Sequence, residues 1–90
     1  MDQQKLREQL TQLHNELEHT QSVDVETRAV LDDLSKDIRE LLDRPGDKTD
    51  RRYGRLSGSL RANLTRFETT HPRLTATMER AIDALVQMGV

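Results

Sequence analysis

The sequence predicts an all-α protein, and three observations support that fold class. Apolar residues recur every three or four positions along most of the 90-residue chain, as on one face of a helix. Aromatic residues make up 2% of the chain, so the core must consist of Leu, Ile, Val, Met and Ala, which favour helices over sheets. Hydrophobic and charged residues each make up 33%, a composition close to that of disordered chains, but the regular apolar spacing argues for a fold. We therefore expect a single helical domain over residues 1–90.

The first predicted helix, at about residues 2–19, carries the clearest pattern. Its four leucines follow one another at spacings of four, three and four: Leu6, Leu10, Leu13 and Leu17. This spacing places them within about 60° of one another around a helix, in a strip that resembles the seam of a coiled coil. We assign this leucine strip as the contact between subunits. The sequence leaves open the alternative that the strip is buried inside a monomeric four-helix bundle.

The second predicted helix, at about residues 24–43, has a broader apolar stripe. Asp24 is a candidate N-terminal cap, and Pro45 ends the helix because proline lacks the backbone N–H and restricts the residue before it. The connection between the first two helices is short, which is typical of antiparallel neighbours.

The middle of the chain has the weakest helical pattern. Three of the four glycines and one of the two prolines lie in residues 44–58. We predict a flexible linker over 44–56, a third helix over 57–70, and a fourth over 72–88 with Pro72 in its first turn. The four short amphipathic helices are expected to form helical hairpins or a bundle, with coiled-coil-like association. The sequence leaves open whether the last two form a hairpin or one kinked rod.

Charge is divided between the two halves of the chain. Residues 1–43 carry a net charge of −6 and residues 44–90 a net charge of +4, within a total of −2. Within the basic segment 44–66, Arg51, Arg52 and Arg55 are candidates for binding an anionic partner, either nucleic acid or a lipid surface. The overall acidity and the scarcity of aromatic residues disfavour nucleic acid. Pairing of this segment with the acidic first half would explain the same residues.

No arrangement of residues indicates catalysis, a cofactor or a metal. The chain has no cysteine, which excludes disulfides and thiolate chemistry. His14 and His19 are five positions apart and point in different directions around a helix, and His71 precedes Pro72 at a predicted helix start. The acidic pairs lie on polar helix faces. We therefore expect no catalytic, cofactor-binding or metal-binding residues.

The sequence also predicts a soluble, cytoplasmic protein. No apolar run approaches the roughly 20 residues that a membrane span requires. The N-terminal residues are charged from the start, unlike those of a signal peptide.

Two stretches of the sequence carry a recognisable order of features, MDQQKLREQLTQLHNELE at the start and FETTHPRLTATMERAIDALVQMGV at the end. Their most specific parts are Phe67-Glu68-x-x-His71-Pro72-x-Leu74 and the closing Ala-Leu-x-x-Met-Gly. With these features nearly the whole chain resembles the bacterial domain-of-unknown-function family 4404. The resemblance implies a small, helical, cytoplasmic bacterial protein, and it supplies no activity, cofactor or catalytic residue.

These observations predict a small non-enzymatic helical protein of unknown function that associates with itself, most simply as a dimer. A core as small as this one is commonly completed by self-association. The protein would serve as a structural or protein-interaction module. The alternative is binding of an anionic partner through the segment 44–66.

Overall fold

The computed structural model describes residues 2–90, with side chains from Gln3 onward, and four α-helices make up 78% of the chain. They are α1 (Asp2–His19), α2 (Val25–Asp43), α3 (Arg51–Phe67) and α4 (Pro72–Gln87). No strand occurs in this part of the chain. The predicted all-α fold class is confirmed.

The four helices form an up-and-down bundle in which each helix contacts two neighbours. α1 and α3 each pack against both α2 and α4, and within residues 2–90 the diagonal pairs do not meet. Contacts at the two ends of the bundle show the antiparallel order: Lys5 Nζ donates to Gln87 Oε1 at 3.2 Å, and Glu16 lies 3.9 Å from Arg73. α3 and α4 therefore form a second hairpin and not one kinked rod.

One continuous core fills the space between the helices. Each helix contributes the apolar stripe that its sequence predicts, and aromatic side chains enter only from α3. The buried members are Leu6, Leu10, Leu13, Leu17, Leu31, Leu34, Ile38, Leu41, Tyr53, Leu56, Leu60, Phe67, Leu74, Met78, Ala81, Ile82, Ala84, Leu85 and Met88.

The leucine strip of α1 belongs to this core, and its assignment as a contact between subunits must be corrected. Leu6, Leu10, Leu13 and Leu17 are between 0% and 2% exposed within a single chain. Side chains this deeply buried offer no surface to a second subunit while the bundle is closed. The strip serves the alternative role, which is to hold α1 against α2 and α4.

The predicted linker 44–56 is also too long, because α3 begins at Arg51 and not at residue 57. Asp50 caps the helix by accepting a hydrogen bond from the backbone N–H of Arg52 at 2.9 Å. Tyr53 and Leu56 lie in the core, and their burial outweighs the low helix propensity of Gly54. The connection between α2 and α3 is therefore residues 44–50.

This connection is fixed to the bundle by Tyr53. The Tyr53 hydroxyl accepts from the Gly46 N–H at 3.0 Å and donates to the Gly46 carbonyl at 3.2 Å. Position 46 has no room for a larger residue, since an added Cβ would lie 2.8 Å from Asp50 Cβ.

At the other turns, Pro72 occupies the start of α4 as predicted, and Gly89 follows α4 with φ of 98°. None of the helices described over residues 2–90 combines the length and the apolar character needed to cross a membrane.

Candidate interaction surface

The outer surface formed by α2 and α3, here called the α2–α3 face, separates charge between two adjacent helices. α3 contains five arginines and no acidic residue over Arg51–Phe67. α2 contains six acidic and three basic residues over Val25–Asp43, a net charge of −3. Because the two helices pack side by side, the face has one basic half and one acidic half.

The basic half points away from the core. Arg51, Arg55 and Arg66 are all exposed, and helical geometry places them within about 60° of one another around α3. Arg61 is also exposed and lies on the side of α3 that faces α4, where it lines a shallow cleft. α3 therefore presents a row of guanidinium groups to solvent.

Arg52 differs from its neighbours, because its guanidinium is used inside the chain. Its Nη2 donates to the Arg44 carbonyl at 2.6 Å and to Asp50 Oδ2 at 2.8 Å. The hydrogen bond from the Arg52 side chain, followed by that from the Arg52 backbone N–H, holds the pKa of Asp50 below its ordinary value. Of the three predicted anion-binding residues, Arg51 and Arg55 are free on the surface and Arg52 fixes the start of α3.

The acidic half of the face is a surface of α2 on which exposed carboxylates outnumber the exposed basic residues Lys36 and Arg39. Asp32, Asp33, Glu40 and Asp43 are exposed, and only Asp32 has an ion-pair partner nearby, Arg28 at 3.9 Å on the same helix. Val25, at the first position of α2, is 89% exposed and is the most exposed large hydrophobic side chain of the described residues.

A small cavity of about 160 Å³ lies in the groove between the two halves, lined by Asp37, Glu40, Leu41, Arg52 and Arg55. Burial, and then the nearby Glu40 carboxylate, raises the pKa of Asp37, while Arg55 acts in the opposite direction. Among residues 3–90, no carboxylate of α2 lies within 4.0 Å of a guanidinium of α3. The two rows of charge therefore lie side by side without direct ion pairs between them.

The most solvent-exposed side of α3 carries small residues. Gly54, Gly58 and Ala62 follow one another every four residues and are exposed, so the helix backbone is close to solvent there. A Cβ added at Gly58 would meet no atom within 4 Å, so the bundle itself supplies no steric reason for glycine at this position.

The other clefts of the bundle are lined by groups that have structural partners or lie open to solvent. A cavity of about 210 Å³ lies at one end, between Gln3, Arg7, Pro45 and Tyr53. Gln3 Nε2 donates to the Gly46 carbonyl at 3.1 Å, and Arg7 Nη1 donates to the Leu42 carbonyl at 3.0 Å. These polar groups close the end of the bundle against the 44–50 connection.

The three histidines lie in separate places. His14 is half-buried on α1, and His19 Nδ1 lies 2.7 Å from the Asn15 carbonyl. The His71 ring packs edge-to-face on Phe67 at 5.9 Å, and His71 precedes α4 without a capping bond from its side chain. No group of three His, Cys, Asp or Glu residues suited to a metal ion occurs in the part of the chain that the structure describes.

The basic row was not predicted as a single helix surface, because the glycines at the start of α3 placed its first six residues in the predicted linker. A signal was present: five arginines in 17 residues without one acidic residue, preceded by an aspartate that can cap a helix.

Comparison with known proteins gives a family and no activity. No curated protein and no solved structure matches the chain significantly. A family model described as "Domain of unknown function (DUF4404)" matches residues 6–90, which is nearly the whole chain. This match confirms the resemblance seen in the sequence, and the chain belongs to the DUF4404 family.

Proposed function

We propose that the protein is a non-enzymatic, cytoplasmic module that acts by associating with a second copy of itself, helix against helix as in a coiled coil. The observation that carries this proposal is the pattern of charge on the α2–α3 face. A helix whose charged residues are all arginines lies beside a helix of net charge −3, and among residues 3–90 no ion pair within 4.0 Å joins the charged side chains of the two. Such a surface favours a partner whose acidic half lies opposite the basic half of this face, and whose basic half lies opposite the acidic half.

Because the leucine strip is buried, it cannot form the contact between two copies. The apolar stripes of all four helices face one another inside the bundle, so association must use the outer surface. The absence of cysteine means that the fold does not depend on an oxidising compartment, which favours the cytoplasm.

The molar mass in solution tests this proposal. Sedimentation equilibrium or light scattering, over concentrations from the detection limit to near-millimolar, should show twice the 10.4 kDa mass of one chain at low salt. Because the association is electrostatic, the dissociation constant should rise with salt. A mass of one chain at every concentration and salt would contradict the proposal.

A second candidate function is binding of an anionic polymer or lipid surface, and the row of Arg51, Arg55 and Arg66 on one side of α3 favours it. Retention on heparin should then fall steeply with salt and drop when Arg51 and Arg55 are replaced by Ser. The matched control is Arg73→Ser with Arg80→Ser, which removes two exposed arginines of α4. Equal retention of both variants, or none at low salt, would rule this candidate out.

A further inference from the structure

We infer that the α2–α3 face is self-complementary and that it docks on the same face of a second copy, with α2 of one protomer opposite α3 of its partner. This inference rests on the proposed function and specifies its surface. The basic and acidic halves of the face lie next to each other, on two adjacent helices that run antiparallel. A face with that layout fits a copy of itself.

The symmetry of the pairing follows from the layout. Consider a twofold axis that runs parallel to the helices and passes between α2 and α3. It exchanges the positions of α2 and α3 across the interface, and it leaves the height of every residue along the bundle unchanged. It therefore places each acidic α2 against an arginine-bearing α3 of the partner, and it closes the assembly at two copies. A twofold axis across the helices would instead place α3 against α3, with arginines facing arginines.

The level of Glu40 along the bundle agrees with this axis. Arg52 contacts the Glu40 carbonyl, which shows that the end of α2 and the start of α3 lie at the same height. The axis preserves heights, so Glu40 lies at the level of the partner's Arg51 and the partner's Arg55. The opposed helices also run antiparallel, which aligns their dipoles favourably.

The size of the face and its small side chains support close docking. The bundle measures 36 × 20 × 19 Å, so the projected area of one face is roughly 700 Å², of the same order as the ~800 Å² of accessible surface that each partner buries in a standard interface. Gly58 and Ala62 let the partner's α2 approach the backbone of α3. A glycine inside an exposed helix is less stable than an alanine there, and a close approach by α2 of the partner accounts for its presence at position 58.

Charge inversion tests the pairing of α2 with α3. One variant reverses the basic half, Arg51→Glu with Arg55→Glu, and the other reverses the acidic half, Asp33→Lys with Glu40→Lys. All four side chains are exposed, so both variants should keep the helix content of the wild type. Each variant alone places like charges at both contacts, and its dimer should be about tenfold weaker or more.

Mixing the two variants provides the decisive comparison. In a mixed dimer both contacts again join opposite charges, so the mixture should sediment as a dimer where neither variant does alone. The control Arg73→Glu with Arg80→Glu applies the same change in charge to α4. Arg73 is 90% exposed and its 3.9 Å contact with Glu16 contributes little to stability, so the bundle and the dimer should stay intact. A second, uncharged variant, Gly58→Gln, improves the helix and should still weaken the dimer by blocking close approach.

The outcomes separate this inference from the proposed function. A wild-type dimer that neither inversion weakens, or a mixture that stays monomeric, overturns the pairing while self-association stands. A wild-type protein that is monomeric throughout overturns both. Retention of that monomer on heparin would then assign the arginine row to an anionic partner. If an inverted variant loses its circular dichroism signal, Gly58→Gln and the salt dependence of the wild-type dimer decide the question.

Discussion

Asp37 shows, at the scale of one residue, what the groove between α2 and α3 does to a charge. Its carboxylate is partly buried and lies near Glu40, so its pKa is raised, and Arg55 offsets only part of this. A raised pKa means that the folded chain binds the proton more tightly than the unfolded chain does. The contribution of Asp37 to stability therefore falls as pH rises from the ordinary pKa of aspartate through the raised value, and stays low at neutral pH.

Replacing Asp37 with Asn should therefore stabilise the monomer slightly at neutral pH. The gain should be below about 0.5 kcal/mol, since the side chain is only partly buried and solvent screens its charge. Urea unfolding at pH 7 and below pH 4 measures it, and the difference between the variant and the wild type should shrink in acid. Asp83→Asn, at an exposed position of α4, is the control. A destabilised Asp37→Asn variant would show that the attraction of Arg55 dominates.

Leu13 represents the opposite kind of residue, with 0% of its surface exposed. Leu13→Ala should lower the free energy of unfolding by about 2–5 kcal/mol, because it removes apolar contacts and leaves a cavity. Leu42→Ala, at a half-buried position, should cost less. Denaturant unfolding measures both. If the Leu13→Ala protein kept wild-type stability but had a reduced molar mass, the leucine strip would be a contact between subunits after all.

At the scale of the element, α3 depends on its first turn. Asp50 accepts bonds from the Arg52 backbone and side chain, and Arg52 in turn holds the Arg44 carbonyl. This small network joins the end of α2 to the start of α3, and it places Arg51 and Arg55 on a helix with a defined direction. The capping contacts of Asp50 thus help to set the orientation of the basic row.

Asp50→Ala should lower the melting temperature by several degrees, while Asp50→Asn, which can still cap the helix, should lower it less. Because the pKa of Asp50 is lowered in the folded chain, its stabilisation is present above the ordinary aspartate pKa and disappears as pH falls through the lowered value. The melting temperatures of the wild type and Asp50→Ala should therefore converge in strong acid. Melting curves by circular dichroism at neutral and acid pH test this. Equal melting temperatures at pH 7 would contradict the role assigned to the cap.

The helices differ in how well their sequences predict them, and the difference has a physical cause. α1, α2 and α4 begin and end within one or two residues of their predicted bounds, because their apolar stripes are not interrupted by glycine. Gly54 and Gly58 made the start of α3 look like a linker, although burial of Tyr53 and Leu56 keeps it helical. Local propensity is a weak guide where tertiary contacts decide the conformation.

At the scale of the whole molecule, all four helices share one core, so neither hairpin is complete alone. Each of α1 and α3 packs against both α2 and α4, so separating the hairpins would expose core side chains of both to water. The same fact explains why the role of the leucine strip was not predictable. A heptad-like strip has the same spacing whether its partner helices belong to its own chain or to another. The α2–α3 face was unpredictable for a related reason, since it exists only once α2 and α3 are adjacent.

Two fragments, residues 1–46 and 47–90, should therefore have little helix when separate and regain the helix content of the intact chain when mixed. Each hairpin alone exposes an apolar surface that only the other can cover. Circular dichroism of the fragments and of their equimolar mixture measures this, with the intact chain as the reference. Full helicity of either fragment alone would show that a hairpin is an independent folding unit.

The extensive contact between α1 and α4 has a kinetic consequence. Most contacts of an up-and-down bundle are local, and such folds form on the order of microseconds to milliseconds. α1 and α4, however, come from opposite ends of the chain, as the Lys5–Gln87 contact shows, so their meeting must close nearly the entire length into a loop. We expect this closure to be the late event of folding, after both hairpins have begun to form. Substitutions in the α1–α4 seam should then speed unfolding more than they slow refolding.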